Sequence, residues 1–264
     1  MNKLLIYILI PILSGCASVP VTNRKQLSLV SEYEIIQSSN IAYTEFLDDN
    51  TLVSIYHPDA ILVKKVGNKL ALACREFLIN HGDVERVAGF DWQFNLVEGD
   101  EKNAWCMPGG KVIVYQGILS ETIDETGLAV VLSHEIAHAV ARHGSEQVSQ
   151  QLLAQMGGDA LQIVLNSLDT KGIDFSEMFS QTYDLGLQLG MLKFSRNHEA
   201  EADKMGLVFM EYAGYDSSEA VEFWNRMSNS SQNGIPAFMR THPSDEKRIL
   251  AIEAFIPVAK SYVF

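Results

Sequence analysis

The chain has 264 residues with a formal net charge of −13, 47% hydrophobic and 20% charged residues. This acidic balance leaves no basic footprint for nucleic acid and disfavours docking on anionic lipid. The apolar content excludes a disordered chain, and the length suits one domain, with at most a small appended subdomain.

The N-terminus reads as a targeting segment. Lys3 gives a basic start, Leu4 to Leu13 an apolar core, and Leu13-Ser14-Gly15-Cys16 fits a lipobox. The apolar run is too short for a typical spanning helix. The expectation is a lipoprotein signal peptide over 1–15 with Cys16 acylated; an ordinary signal peptide or short anchor is the alternative. A multiply acylated cysteine would hold the membrane stably. Residues 16–30 are polar and mixed and read as the acylated cysteine and a tether. Residues 31–264 read as a single domain.

Ser31 to Leu47 suits a helix with Tyr33, Ile36, Ile41 and Phe46 roughly on period. A second helix is expected over 59–80, with Gly67 interrupting its start and His81-Gly82 ending it. Phe90, Trp92, Phe94 and Leu96 alternate on one face of a strand that runs to Val97. Glu98 to Glu101 is a turn. Ala104 to Met107 and Lys111 to Tyr115 are short strands joined by Pro108-Gly109-Gly110, a hairpin signal. Thr122 to Glu125 has capping-box spacing before an apolar helix, and Gly144 sits where that helix should stop. Ser145 to Leu192 reads as two helices packed on the site or a lid over it, with breaks at Gly157-Gly158 and Asp169 to Gly172. Helices are expected at 198–213, 216–230 and 244–255. There are no internal repeats.

His134-Glu135-Ile136-Ala137-His138 is an HExxH motif inside the apolar run Leu128 to Val140. Residues i and i+4 of a helix share a face, so both imidazoles can reach one ion. Glu135 stands beside them, where a carboxylate can take a proton from the attacking water. A catalytic zinc takes three protein ligands and leaves one position open. Ser195 to Gly206 opens another helix, where Glu199 and Asp203 share a face. One of them can bind zinc while the other orients a zinc-binding histidine. Glu201 lies about 200° round the helix from Glu199 and is expected to face solvent. His143 and His198 read as surface residues at helix ends, His57 and His81 as loop residues. An exported compartment permits a Cys74–Cys106 disulfide, but the spacing leaves that pairing open.

HExxH followed by Ser195-Arg196-Asn197-His198-Glu199-Ala200-Glu201-Ala202-Asp203 resembles the gluzincin endopeptidases of the HtpX, BepA and LoiP type. These are relatives of the CaaX-processing and mitochondrial inner-membrane quality-control proteases. The resemblance covers roughly residues 20 to 255. It implies a predominantly α, α+β zincin fold with a small antiparallel sheet and one Zn(2+) per chain. It makes Glu199 the third zinc ligand beside His134 and His138, and Asp203 the residue that orients a ligand. Asn103, Ala104, Trp105, Cys106 and Met107 resemble the family's substrate-side strand. Thr241-His242-Pro243 and Arg248 resemble its C-terminal element. His242 is then either a donor to the tetrahedral intermediate, supported by Arg248, or a plug at the open zinc position. Without the resemblance, Thr241 to Ser244 is a turn and helix cap. With no helical-repeat array after the protease domain, the chain is closer to the LoiP branch. Ala17 after the cysteine is similar to bacterial lipoproteins not retained at the inner membrane.

The expected function is a lipid-anchored zinc endopeptidase of the cell envelope, facing the periplasm and nearer the outer membrane. Its partners would be unfolded or misfolded polypeptides and the membrane, with no nucleic acid. The alternatives are an assembly factor that binds misfolded β-proteins with little or latent proteolysis, and a zinc hydrolase acting on something other than peptide. Glu135 disfavours the binder, which has no need of a general base. The strand at 103–107 disfavours the third.

Overall fold

The computed structural model describes residues 16–151, 194–230, 235–243 and 245–263. The expected signal segment and most of the expected lid lie outside them. The described chain is mostly helical with one small three-stranded sheet and a separate strand pair.

The strand pair corrects the expectation of a tether. β1 (Cys16–Ser18) pairs antiparallel with β2 (Lys25–Leu27). Val21 and Asn23 take positive φ in the turn between them. Val19 is buried in the main core, and the Gln26 side chain donates to Ala141 O at 2.8 Å. Buried Arg86 donates to both Ser18 O and Val140 O, tying the strand pair to the site helix. Composition alone concealed this because the anchoring contacts are polar.

Helix α1 (Glu32–Asp49) starts on Ser31, whose side chain accepts from Glu34 N. Its inward face is Ile35, Ser39, Ala42 and Tyr43, at helical spacing. Tyr33 and Ile41, expected inside, are exposed. Helix α2 (Pro58–Asn80) begins with His57 as cap and Pro58 in its first turn. Gly67 does not interrupt it. A Cβ there would lie 2.3 Å from the Phe94 ring, so glycine admits the strand against the helix. The short α3 (Val84–Val87) follows.

β3 (Gln93–Val97), β4 (Ala104–Met107) and β5 (Lys111–Tyr115) form the sheet in the order β3-β5-β4. β4 and β5 make the expected antiparallel hairpin, with Gly109 and Gly110 at positive φ in its turn. β3 pairs parallel with β5, so the sheet is mixed rather than antiparallel. The reason is the crossing at 98–103, which puts β4 on the far side of β5. β4 is thereby left at an edge.

After α4 (Leu119–Thr122), α5 (Glu125–Val140) is buried nearly all round. Its cap is Asp124, whose carboxylate accepts from Thr126 N and Gly127 N, rather than a Thr122–Glu125 box. It ends before Gly144: Arg142 takes φ 57°, and residues 143–151 are helical again. Helix α6 (Arg196–Tyr212) packs on α5. Gly206 permits that approach, since a Cβ there would meet His134 N at 3.2 Å. α7 (Glu219–Ser230), α8 (Ala237–Thr241) and α9 (Glu246–Lys260) complete the described chain. Among the described residues no helix is long and apolar enough to cross a membrane.

Candidate active site

Three elements bring the predicted site together. α5 supplies His134 and His138, α6 supplies Glu199, and the residue just after α8 is His242. One ligand atom from each of these four lies within 4.8 Å of all the others, and all four side chains are buried. His134 Nε2 and His138 Nε2 are 3.0 Å apart. His242 Nδ1 is 3.2 Å from His134 Nε2 and 3.0 Å from Glu199 Oε1. Glu199 oxygens are 3.4 Å from His134 Nε2 and 3.5 Å from His138 Nε2. Four ligands at ordinary zinc distances stand about 3.3–3.5 Å from one another in a tetrahedron, so this donor set fits one zinc ion.

The surroundings orient the set. His134 Nδ1 lies 3.0 Å from Asp203 Oδ1. Arg248 donates to both Asp203 oxygens at 2.8 Å, lies 3.0 Å from Glu199 Oε2, and stacks 3.8 Å over Trp224. The Arg248 guanidinium is thus engaged with the carboxylates behind the cluster. The expected support of a tetrahedral intermediate by Arg248 is replaced in this arrangement by positioning of Asp203 and Glu199. The alternative reading of Thr241 to Ser244 as a cap for the last helix does not describe His242, which ends α8 instead. Asp245 caps α9, accepting from Arg248 N, while His242 is buried among the site carboxylates.

Glu135, on the helix that packs against β4, points its Oε1 at His242 Nε2, 3.3 Å away. Burial raises the Glu135 pKa, against the pull of His242 and His134. Glu199 behaves oppositely: burial would raise it, but the surrounding imidazoles hold it far below the usual carboxylate range. Burial lowers His134, yet Asp203 and Glu199 outweigh burial and bring it to about 9. His138 is pushed well down by burial and by His134. Strongly perturbed groups gathered in one buried cluster are a mark of a functional site.

Several residues were misjudged from sequence. His143, His198 and Glu201, expected at the surface, are all buried. Glu201 pairs with Arg24 and His143, and His198 with Glu146. Periodicity showed that Glu201 leaves the Glu199 face, but the opposite face is covered by the β1–β2 turn and residues 143–151. Cys74 and Cys106 are both free, and burial pushes the Cys106 thiol well up.

An HExxH helix, a glutamate from a following helix and a small sheet whose edge strand packs on the HExxH helix define a zinc metallopeptidase. Comparison narrows this further. The sequence model of Peptidase family M48 matches residues 76–256, and the chain belongs to that family. It is similar to the mitochondrial metalloendopeptidase OMA1 of Schizosaccharomyces pombe, with 32% identity over 246 residues, 92% of this chain and 67% of that protein. The human mitochondrial metalloendopeptidase OMA1 is 28% identical over 91% of this chain, which spans 46% of its length. The beta-barrel assembly-enhancing protease of Escherichia coli (strain K12) is 26% identical over 65% of this chain and 35% of its own. The protein is a zinc metalloendopeptidase. The expected envelope location near the outer membrane is corrected: relatives aligned over nine tenths of the chain are mitochondrial proteases, whereas the beta-barrel assembly-enhancing protease aligns over about two thirds.

Proposed function

We propose that this endopeptidase cuts unfolded or misfolded polypeptides with little sequence selectivity, as a membrane-associated quality-control protease. His134, His138 and Glu199 would hold the zinc, which when bound supplies Lewis acidity for the scissile carbonyl and lowers the pKa of water. Glu135 takes the proton of the attacking water and passes it to the leaving amine. Asp203 and Arg248 hold the ligands in place. Asn103 to Met107 receive substrate by strand addition, in which main-chain hydrogen bonds give affinity and few side chains are read.

The observation that carries this reading is the packing of the HExxH helix α5 against β4. It sets the helix that bears the proton acceptor beside the edge strand, where an extended chain paired with β4 would pass. Glu135→Gln should retain zinc and lose cleavage of casein; retained turnover would remove Glu135 from this role. Residues 16–264 form one peptidase unit in this proposal, with the strand pair built into it. Membrane attachment in this proposal is through acylation of Cys16, the first residue of β1. Absence of a fatty-acid label on Cys16 would rule that attachment out.

A further inference from the structure

The two site histidines of α5 are steadied differently. His134 Nδ1 faces a carboxylate, Asp203. His138 Nδ1 faces another imidazole: His143 Nδ1, 2.9 Å away. His143 Nε2 is in turn 3.0 Å from Glu201 Oε2. Glu201 accepts from Arg24 Nε at 2.9 Å and from the Thr22 hydroxyl. Thr22 and Arg24 belong to the turn of the N-terminal strand pair. Arg24 also donates to both Glu146 oxygens, at 2.8 and 2.7 Å. It therefore bridges one carboxylate in residues 143–151 and one on α6.

Counting hydrogens fixes the direction of this chain. To present a lone pair on Nε2 to the ion, His138 must carry its proton on Nδ1 and donate it. His143 Nδ1 must then accept, so its proton sits on Nε2 and is donated to Glu201. Glu201 accepts from His143, Arg24 and Thr22. Every donor meets an acceptor. In the reverse order His143 would donate to His138 Nδ1, and the His138 proton would point into the ligand set and block coordination. The His143 Nε2 lone pair would then face a carboxylate oxygen.

We propose that Arg24, Glu201 and His143 form a positioning relay that fixes the tautomer of His138 and so couples zinc retention to docking of the N-terminal strand pair. The proposal rests on His138 being a zinc ligand. None of the three touches substrate. An undocked strand pair would take Arg24 and Thr22 from Glu201 and release the relay, giving the N-terminal segment control over the metal.

The test is zinc release from the full chain to a colorimetric chelator, with the visible spectrum of the cobalt-substituted protein as second readout. Glu201→Gln keeps the size but brings N–H donors towards His143. It should weaken zinc binding by about 10–100-fold, the usual scale for such supporting groups. Arg24→Gln should act in the same direction, and the double variant should add little to Glu201→Gln, as expected for one chain. Glu146→Gln removes the other carboxylate of Arg24 but leaves the His143–Glu201 contact, so it should hasten release clearly less than Glu201→Gln and leave the cobalt spectrum near native. Equal effects of Glu146→Gln and Glu201→Gln would mean a merely structural role and overturn the proposal. Thr22→Val removes one hydrogen bond at the turn and serves if Arg24→Gln does not fold; it should hasten release, and native release would count against the relay. His138→Ala separates the two readings. If it keeps zinc, the ligand assignment fails and the relay with it; if it alone loses zinc while Glu201→Gln and Arg24→Gln behave as native, only the relay fails.

Discussion

His242 Nδ1 lies 3.0 Å from Glu199 Oε1, and the other nitrogen of the same ring lies 3.3 Å from Glu135 Oε1. One imidazole therefore touches both the carboxylate of the ligand set and the carboxylate beside it. His242 follows a short helix whose Phe238 ring packs against it with centroids 4.5 Å apart. Its placement is set by core packing as well as by the charged groups it meets.

Zinc content should follow the three-ligand assignment. The native chain is expected to carry about one zinc, and Glu199→Ala to lose most of it, because the substitution removes the one anionic donor of the set and leaves only neutral imidazoles. Metal analysis after gel filtration checks this. Stoichiometric zinc in Glu199→Ala would exclude Glu199 as a ligand.

Arg248 should matter for stability as well as for the metal. Its side chain is only 8% exposed and lies against two carboxylates, and removing one side of such a group leaves uncompensated charge, at a cost of about 3–5 kcal/mol. Arg248→Met should therefore lower the denaturation midpoint strongly even without zinc. Arg248→Lys keeps the charge but loses the paired donors to Asp203, so it should fold and bind zinc more weakly. A native-like midpoint for Arg248→Met would refute this.

Acid should loosen the strand pair through Glu146. Burial would raise its carboxylate, but hydrogen bonds from Arg24 and His198 outweigh burial and hold it at about 2, against a usual 4.5. A carboxylate depressed in the folded state adds stability that is complete above about 4.5 and is lost as pH falls towards about 2. Thermal midpoints of the zinc-free chain should drop across that window, and less steeply in Glu146→Gln. Parallel pH profiles for the two proteins would show that Glu146 contributes nothing there.

Local signals in this chain were legible where a few neighbouring residues decide the outcome. The hairpin at 104–115 follows from alternation and Pro-Gly-Gly, and the helix opening at Ser195 is capped by that residue, which accepts from His198 N. HExxH and the Glu199–Asp203 spacing placed both α5 histidines and both carboxylates at one site. What failed depends on which element covers which. Periodicity gives the faces of a helix but not their neighbours, so Glu201 and His143 were assigned to solvent. The parallel pairing of β3 with β5 likewise depends on a crossing that no local pattern encodes. Residues 16–30 read as a tether because burial there involves few side chains, while Arg24, Gln26 and Arg86 supply the anchoring.

His242→Ala is expected to raise casein turnover and self-cleavage. The reason is occupancy. With His242 Nδ1 3.2 Å from His134 Nε2 and 3.0 Å from Glu199 Oε1, His242 would compete with water for the fourth position of a zinc held by His134, His138 and Glu199. Water must take that position for Glu135 to deprotonate it, and the His242 Nε2 contact already engages Glu135 Oε1. Removing the ring frees both the position and the Glu135 carboxylate, while Glu199 keeps its contact with Arg248. If His242 instead swings out and donates to the tetrahedral intermediate, the same substitution lowers turnover by about 10²–10³, as for lost oxyanion donors. Turnover and the pattern of self-cleavage, measured side by side on native protein and His242→Ala, decide between a plug and a donor; no change in either would leave His242 a packing residue after α8.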